Sequence, residues 1–361
     1  MITISLCMIV KNEEQSLARC LQSVKDIADE IIIVDTGSTD RTKETAAAFT
    51  DFIYDKVWND HFGEARNYAF SKATQEYILW LDADDELEEE DRAKFIALKQ
   101  ALDASVDSVM MHYHLGLDAD NKVITSLKRN RLVRRACGFR WEGPVHEVLL
   151  VSGNIIHADI AITHKKDKPY TDRNLRIFRQ RAAAEEEFTP RDLYYFANEL
   201  RDHSCDEEAV DYYERFLRTK RGWSEDCFAA CLKMGDCYGR LNQRTLQMRA
   251  LFRTLLYGKP RAEMCCRVGA LFLEDNRVEL AVHWFHTATT LGEPLGYSGV
   301  VDHSAWTWLP HLQLCLCYDR LGNKQKAELH NEIAAVHNPT HPSILHNKAY
   351  FAQLRREERS V

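Results

Sequence analysis

No stretch of the 361-residue sequence approaches the ~20 consecutive apolar residues that a membrane-spanning helix requires. The N-terminus lacks the basic residues that open a signal peptide. Its first apolar run stops at Lys11, so the run reads as a strand and the protein as cytoplasmic. A basic excess is missing as well. Lys and Arg number 47 against 55 Asp and Glu, and the formal net charge of −8 argues against nucleic acid as the main partner. The 11 cysteines show no ligand-like pairing with histidines. Cys265 and Cys266 are adjacent, and Cys315 and Cys317 are two apart in an expected helix, so buried reduced thiols fit better than a zinc site. What is present is core material. Hydrophobic residues make up 45% of a chain long enough for two ordinary domains.

The first half alternates apolar runs with helical spacing. Residues 2–10 read as a strand, and about 13–24 as a helix with Leu17, Cys20, Leu21 and Val24 on one face. Residues 30–35 form a second strand, followed by a helix to about Phe49. A short third strand covers 51–56, a helix 62–72, and a fourth strand 76–81. This β-α-β-α-β-α-β order predicts a doubly wound, mostly parallel sheet. Residues 107–115 and 123–133 read as two further strands joined by a turn at 118–121, and about 154–163 as another. The charged stretch 165–172, with Pro169, suits a domain boundary, giving domains 1–168 and 169–361.

The stretch around which the chemistry gathers is Tyr77-Ile78-Leu79-Trp80-Leu81-Asp82-Ala83-Asp84-Asp85. An apolar strand ends abruptly in carboxylates, at the sheet edge where open α/β folds collect ligands. Asp-x-Asp there can hold a hard divalent cation that grips phosphate oxygens. A solvated acidic loop leading into a helix N-terminus is the alternative. Upstream, Lys11 closes strand 1, Asp35 closes strand 2 and can accept hydrogen bonds from a nucleoside, and Arg66 sits early on the helix before strand 4.

The four pieces Ile9-Val10-Lys11-Asn12-Glu13-Glu14, Val34-Asp35-Thr36-Gly37-Ser38-Thr39-Asp40, Ala65-Arg66-Asn67 and Leu81-Asp82-Ala83-Asp84-Asp85 resemble the motifs of family 2 glycosyltransferases, in the expected order. The resemblance covers roughly residues 1–165. It implies an α/β GT-A fold, Rossmann-like with a mostly parallel sheet, and inverting transfer of a hexose or N-acetylhexosamine from a UDP-sugar with Mn²⁺ or Mg²⁺. The glycine-rich phosphate loop of nucleotidyltransferases with a similar sheet is absent, since Lys11-Asn12-Glu13-Glu14 stands there. By resemblance, Val10, Lys11, Asn12, Glu13, Asp35, Arg66, Asp82 and Ala83 would meet the nucleotide sugar. Asp84 would be the direct metal ligand, aided by Asp82 and by His164 at the close of the domain. The catalytic base would come from Phe139-Arg140-Trp141-Glu142-Gly143-Pro144-Val145-His146-Glu147. Glu147 is the first choice, Glu142 the alternative, and His146 would orient the acid or bind substrate.

From Leu175 the texture is helical, and an internal repeat resembles tetratricopeptide repeats. Ala197, Leu200, Ala209 and Tyr213 match the pattern, as do Gly269, Phe272, Ala281 and Phe285. Cys315, Tyr318 and Ala327 fit, and Gly235, Tyr238 and Leu251 fit loosely because Gln247 takes the alanine position. The longest insertion is expected at 292–303. A catalytic domain followed by such helices is similar to the subgroup that includes bacteriocin-peptide S-glycosyltransferases, and to enzymes of surface-polysaccharide or lipid-linked glycan assembly. The helical half would present a peptide or protein acceptor, or form a homodimer interface. A repeat scaffold carrying an inactive transferase-like domain is the non-enzyme alternative.

Overall fold

The computed structural model describes residues 1–118, 122–165, 171–292 and 299–358. Residues 119–121 of the expected turn, Lys166, Pro169, the boundary at 168/169 and residues 293–298 of the expected 292–303 insertion lie outside the described residues. The chain divides into two compact units, 1–117 with 125–186, and 118–124 with 187–361.

In the first unit, β1 (Ile4–Val10), β2 (Glu30–Asp35), β3 (Ile53–Asp55) and β4 (Tyr77–Trp80) lie in the order β3-β2-β1-β4, all parallel. They are joined by α1 (Leu17–Val24), α2 (Thr42–Ala47) and α3 (Phe62–Phe70). After β4 come β5 (Asp85–Glu86), α4 (Glu89–Ala101), β6 (Ser108–Leu117), β7 (Val123–Arg134), β8 (Arg140–Glu142), β9 (Val148–Leu150) and β10 (Ile155–His164). The sheet continues β4-β7-β6-β10-β5. β7 runs antiparallel to β4, β10 parallel to β6, and β5 antiparallel to β10. β8 and β9 form a separate antiparallel pair. This is the GT-A arrangement, a mostly parallel sheet extended by mixed strands.

Parallel strands are covered on both faces, so they read as continuous apolar runs. Along β1, Leu6, Met8 and Val10 point into one core with Leu17, Leu21, Ile33, Leu79 and Phe95. Cys7 points the other way, among Val34, Ala69, Trp80 and Trp141. α1 starts at Leu17 rather than at Glu13. Asn12 has φ 56°, and the next two amides bond to the neighbouring loop, Glu13 N–H to Thr42 Oγ1 at 2.7 Å and Glu14 N–H to Asp40 Oδ2 at 3.2 Å. Helix start is thereby delayed, because those backbone donors are committed elsewhere. The helix α5 (Arg173–Ala183) belongs to the first unit, so the division falls at 186/187.

The second unit is a tetratricopeptide-like stack of helix hairpins. They are α6 (Pro190–Asp202) with α7 (Asp206–Arg218), α8 (Ser224–Arg240) with α9 (Arg244–Arg253), and α10 (Ala262–Glu274) with α11 (Val278–Thr290). The short α12 (His303–Trp306) precedes α13 (Leu309–Arg320) with α14 (Lys324–His337), and α15 (Pro342–Glu358) follows. The small residues act through close approach. A Cβ on Gly269 would lie 2.9 Å from the Phe285 ring, and one on Gly235 2.8 Å from Leu251. Gln247 is tolerated at its position because Gly239 faces it, where a Cβ would meet the Gln247 amide at 2.5 Å.

The turns carry a second repeat signature that the sequence reading did not use. Each hairpin has one left-handed residue at the middle of its connection: Ser204 (φ 61°), Asn242 (56°), Asn276 (56°) and Gly322 (78°). The residue after it donates back across the helix end, from Cys205 to Leu200 O, Gln243 to Tyr238 O, Arg277 to Phe272 O and Asn323 to Tyr318 O, each at 2.8 Å. These are Schellman closures, satisfying carbonyls that a helix end leaves open. Of the eleven cysteines all but Cys137 and Cys205 are buried, and all are free thiols. Among the described residues no helix is long and apolar enough to cross a membrane.

Histidines gather between α11, α13 and α14. His311 Nδ1 and His330 Nδ1 lie 2.9 Å apart, and the His286 ring is 6.3 Å from that of His330. Burial, with His311, His286 and Lys326 nearby, pushes His330 down to about 4, and His311 is lowered for like reasons, burial first. An unfolded histidine titrates near about 6.5. The folded state therefore binds fewer protons than the unfolded one between these values. Stability is full above the unfolded pKa and falls as pH drops from about 6.5 towards 4. Denaturant unfolding followed at pH 7 and pH 5 should show a weaker helical unit at pH 5, and His330→Gln should reduce that difference. An unchanged pH dependence in the variant would remove His330 as its cause.

Candidate active site

β1, β2 and β4 end side by side, and the register sets what meets there. Val10 pairs with Asp35, and Cys7 with Trp80 two residues before Asp82. β10 pairs with β5 so that His164 stands opposite Asp85. A cleft of about 770 Å³ opens over these ends. Val10, Lys11, Asn12, Glu13, Arg66, Asp82, Ala83, Asp84, His146, Glu147 and His164 all line it. Asp35 does not line it directly but sits behind Thr36, which does. Glu142 is exposed on β8 and is not part of the cleft wall. A second cleft, of about 480 Å³ and bordered by Tyr68, Arg135 and Phe139, holds none of the sequence-predicted residues.

The acidic turn is built on a buried ion pair. Asp85 and Arg131 of β7 are fully buried, with Nη1 and Oδ2 3.0 Å apart. The same Asp85 Oδ2 accepts from Asp82 N–H at 3.0 Å, and Asp85 N–H donates to Asp82 O at 3.0 Å, closing the turn. Arg131 lies against the Trp80 ring at 3.9 Å and the Tyr113 ring at 4.3 Å, so aromatic faces help hold its charge. Sequence reasoning missed Arg131. Its signal was a charged residue directly before the apolar pair Leu132-Val133 in a strand that had to be central.

Asp82 turns to Arg66. Arg66 Nη2 donates to Asp82 Oδ1 at 2.7 Å, and Nε donates to Glu147 Oε1 at 2.5 Å. The guanidinium lies 5.0 Å from the Trp80 ring and 4.8 Å from the Trp141 ring. Burial opposes its charge, but Asp82 and Glu147 outweigh burial and raise its pKa. Burial likewise opposes ionisation of Asp82, yet Arg66 and then Arg131 hold that carboxyl below the usual range. Arg66 thus ties the Asp-x-Asp loop to the expected base. An arginine at this position could pair with a diphosphate or with the acidic loop, and its fork engages the loop through Asp82 together with Glu147. Trp141 is buried edge-on to Trp80 at 4.7 Å.

The groups able to hold a cation are Asp84, Asp85 and His164, whose ligand atoms lie within 4.8 Å of one another. Asp84 and His164 come together as expected, with Asp85 standing where Asp82 was expected. His164 Nδ1 lies 3.5 Å from Asp84 Oδ1 and 3.8 Å from Asp85 Oδ1. His164 Nδ1 and Asp85 Oδ1 are buried without a hydrogen-bond partner. Two carboxylates and an imidazole converging on unsatisfied atoms fit a divalent cation such as Mn²⁺ or Mg²⁺. Hydrogen bonding to Asp84 and then Asp85 pushes His164 up to about 10, so the cluster favours positive charge at this point.

Asp35 is 1% exposed. Its Oδ1 accepts from Gly37 N–H and Ser38 N–H at 2.8 Å each, while Oδ2 has no partner. A buried free carboxylate oxygen at this edge is set to accept a hydrogen bond from a ligand.

Residues 5–146 match the glycosyl transferase family 2 model. The N-terminal domain is a family 2 glycosyltransferase domain. The chain is 29% identical over 328 residues to a TPR repeat-containing protein of Synechococcus elongatus, covering 88% of this chain and 74% of that one. It is 29% identical over 244 residues to the prophage-derived glycosyltransferase SunS of Bacillus subtilis, covering 62% of this chain and 55% of SunS. The chain thus spans little more than half of SunS. Among solved structures, glucosyl-3-phosphoglycerate synthase from Mycobacterium tuberculosis in complex with Mn²⁺, uridine diphosphate and phosphoglyceric acid is 14% identical with a TM-score of 0.36. That match covers 52% of this chain and 80% of the synthase.

Removing one member of a buried ion pair leaves the other uncompensated. Arg131→Met should destabilise the first unit by about 3–5 kcal/mol in urea titrations, whereas Arg131→Met with Asp85→Leu should recover most of the loss. Equal instability of the single and double variants would show that Asp85 is not what Arg131 holds.

Proposed function

We propose that the chain is a metal-dependent, inverting glycosyltransferase that moves a hexose or N-acetylhexosamine from a UDP-sugar to a hydroxyl or thiol acceptor. The observation that carries this reading is the convergence of Asp84, Asp85 and His164 at the end of β4, in one cleft with Asp82, Arg66 and Glu147. The nucleoside would lie over the ends of β1 and β2, with Asp35 Oδ2 accepting from the base or the ribose. Asp84, His164 and Asp85 would hold Mn²⁺ or Mg²⁺. A cation there neutralises the charge that develops on the departing diphosphate.

Glu147 is the better base. It lines the cleft with its side chain 10% exposed, and Arg66 fixes its carboxylate, while Glu142 is exposed on β8 outside the cleft wall. Glu147 would take the proton of the acceptor as that nucleophile attacks the anomeric carbon opposite the leaving UDP. His146, at φ 49° beside it, would border the acceptor. The tetratricopeptide-like unit supports a peptide or protein acceptor, since such stacks present extended surfaces to chains. Glycan assembly and a homodimer role for the helices remain the alternatives for that unit. The unit that holds the cleft, 1–117 with 125–186, is proposed as the catalytic domain in place of the expected 1–168, and the helical unit that follows as the acceptor-binding or dimerising domain.

The first test is donor turnover. With Mn²⁺ or Mg²⁺, the protein should release UDP from at least one UDP-sugar, measured by coupled detection of UDP. Asp84→Ala should lower that rate by about a hundredfold or more, the scale expected when several kcal/mol of charge stabilisation is lost. Wild-type protein that binds no UDP-sugar in the presence of either metal would overturn the reading.

A further inference from the structure

One wall of the cleft is absent from the four motifs and is built from the loop between β3 and α3 together with α5. The loop leaves the sheet next to Asp35. Asp55 pairs with Asp35 across β2 and β3, and Lys56 N–H donates to Asp35 O at 2.9 Å. Trp58 and Phe62 line the cleft and pack edge to face with ring centroids 4.7 Å apart. The Trp58 indole is pinned from below, its Nε1–H donating to Asp60 Oδ1 at 2.8 Å. Asp60 has φ 56° and is gripped by Arg176 of α5 through two bonds, Nη2 to Oδ1 at 3.1 Å and Nη1 to Oδ2 at 3.3 Å. Arg173, one turn earlier, lies over the Phe62 ring at 4.5 Å. The far end of the loop is fixed as well, because Phe62 N–H donates to Pro144 O at 2.7 Å.

We propose that Trp58 and Phe62, held in place by Arg173 and Arg176 of α5, form the face on which the nucleobase of the donor stacks. This deepens the glycosyltransferase reading and rests on it. The indole N–H is already spent on Asp60, so what Trp58 has left to offer is its ring face. A planar base needs such a face together with an edge partner. The unpartnered, buried Asp35 Oδ2 stands at the end of the neighbouring strand and supplies the edge. The metal-binding cluster lies at the end of β4, on the far side of β1 from β2 and β3. The base and the diphosphate are thereby assigned to opposite ends of the cleft, as the length of a nucleoside diphosphate requires. The Arg176–Asp60 pair is half exposed, so its role is to order the loop rather than to stabilise the fold.

The test separates base from phosphate. Full-length protein is titrated calorimetrically with UDP and, separately, with pyrophosphate, each in excess Mn²⁺. Stacking on one aromatic face predicts that Trp58→Leu weakens UDP about fivefold or more and leaves pyrophosphate within about twofold. Arg176→Ala should show the same selectivity with a smaller loss, and it leaves both rings in place should the tryptophan variant fold poorly. UDP affinity unchanged in both variants, or equal losses for UDP and pyrophosphate, overturns the nucleobase wall. Wild-type protein that binds neither ligand overturns the glycosyltransferase reading itself, and the wall falls with it.

Discussion

The fully buried pair of Asp85 and Arg131 is the constraint on which the catalytic edge of the first unit depends. Burying two charges is expensive, and the pair offsets that only through close geometry and further partners. Here the partners are the Asp82 amide on one side and the Trp80 and Tyr113 rings on the other. Because Asp85 is immobile, the chain must turn between Asp82 and Asp85. That turn sends Asp82 towards Arg66 and Asp84 towards His164. Opposite Asp85, β10 delivers His164 through plain backbone pairing. An acidic loop that would otherwise spread apart by repulsion is held as a preorganised cluster, which is what electrostatic stabilisation of a leaving group demands.

Arg66 extends the same logic across the cleft. It is surrounded by two carboxylates and two indoles, an environment that keeps it charged despite burial. With Asp82 and Glu147 both on its fork, the guanidinium fixes the distance between the donor loop and the proposed base. Lysine, with a single ammonium on a flexible stem, could not bridge the two in this planar way. The geometry that suits one Arg and two acids also explains why the 141–147 segment returns to α3. Asn67 exchanges two hydrogen bonds with the Trp141 backbone at 2.9 Å, and Gly63 packs where a Cβ would fall 2.7 Å from Gly143 O.

The parts of this arrangement legible in the sequence were those governed by local rules. Apolar runs located β1, β2 and β4, and their order with three intervening helices implied the parallel sheet. Asp-x-Asp after β4, Asp35 after β2 and Arg66 on α3 were visible as charges placed at strand ends. Pairings over long separations were not visible. Nothing near Asp85 announces Arg131, and nothing near Arg66 announces that Glu147 shares its fork with Asp82. The start of α1 was misplaced because the amides of Glu13 and Glu14 are claimed by Thr42 and Asp40, from another loop. Trp58 carried no motif at all. Its significance comes from Asp60 and from Arg176, more than a hundred residues away in the chain.

The helical unit illustrates the opposite case, where local chemistry suffices. Its four hairpins share a left-handed residue and a Schellman bond at each turn, and these recur at the spacing of the small residues. That regularity explains why the repeats survive departures from pattern. In a stacked array each hairpin answers mainly to its neighbours. A bulky Gln247 is absorbed by Gly239 on the facing helix without disturbing the next pair. The longest spacing, between the Asn276 and Gly322 turns, places its extra residues between hairpins rather than within one. Such a unit can vary its surface and loops while its closures stay constant. The catalytic edge has no such freedom, since moving any one of Asp82, Asp85, Arg66 or Arg131 strands the charge of another.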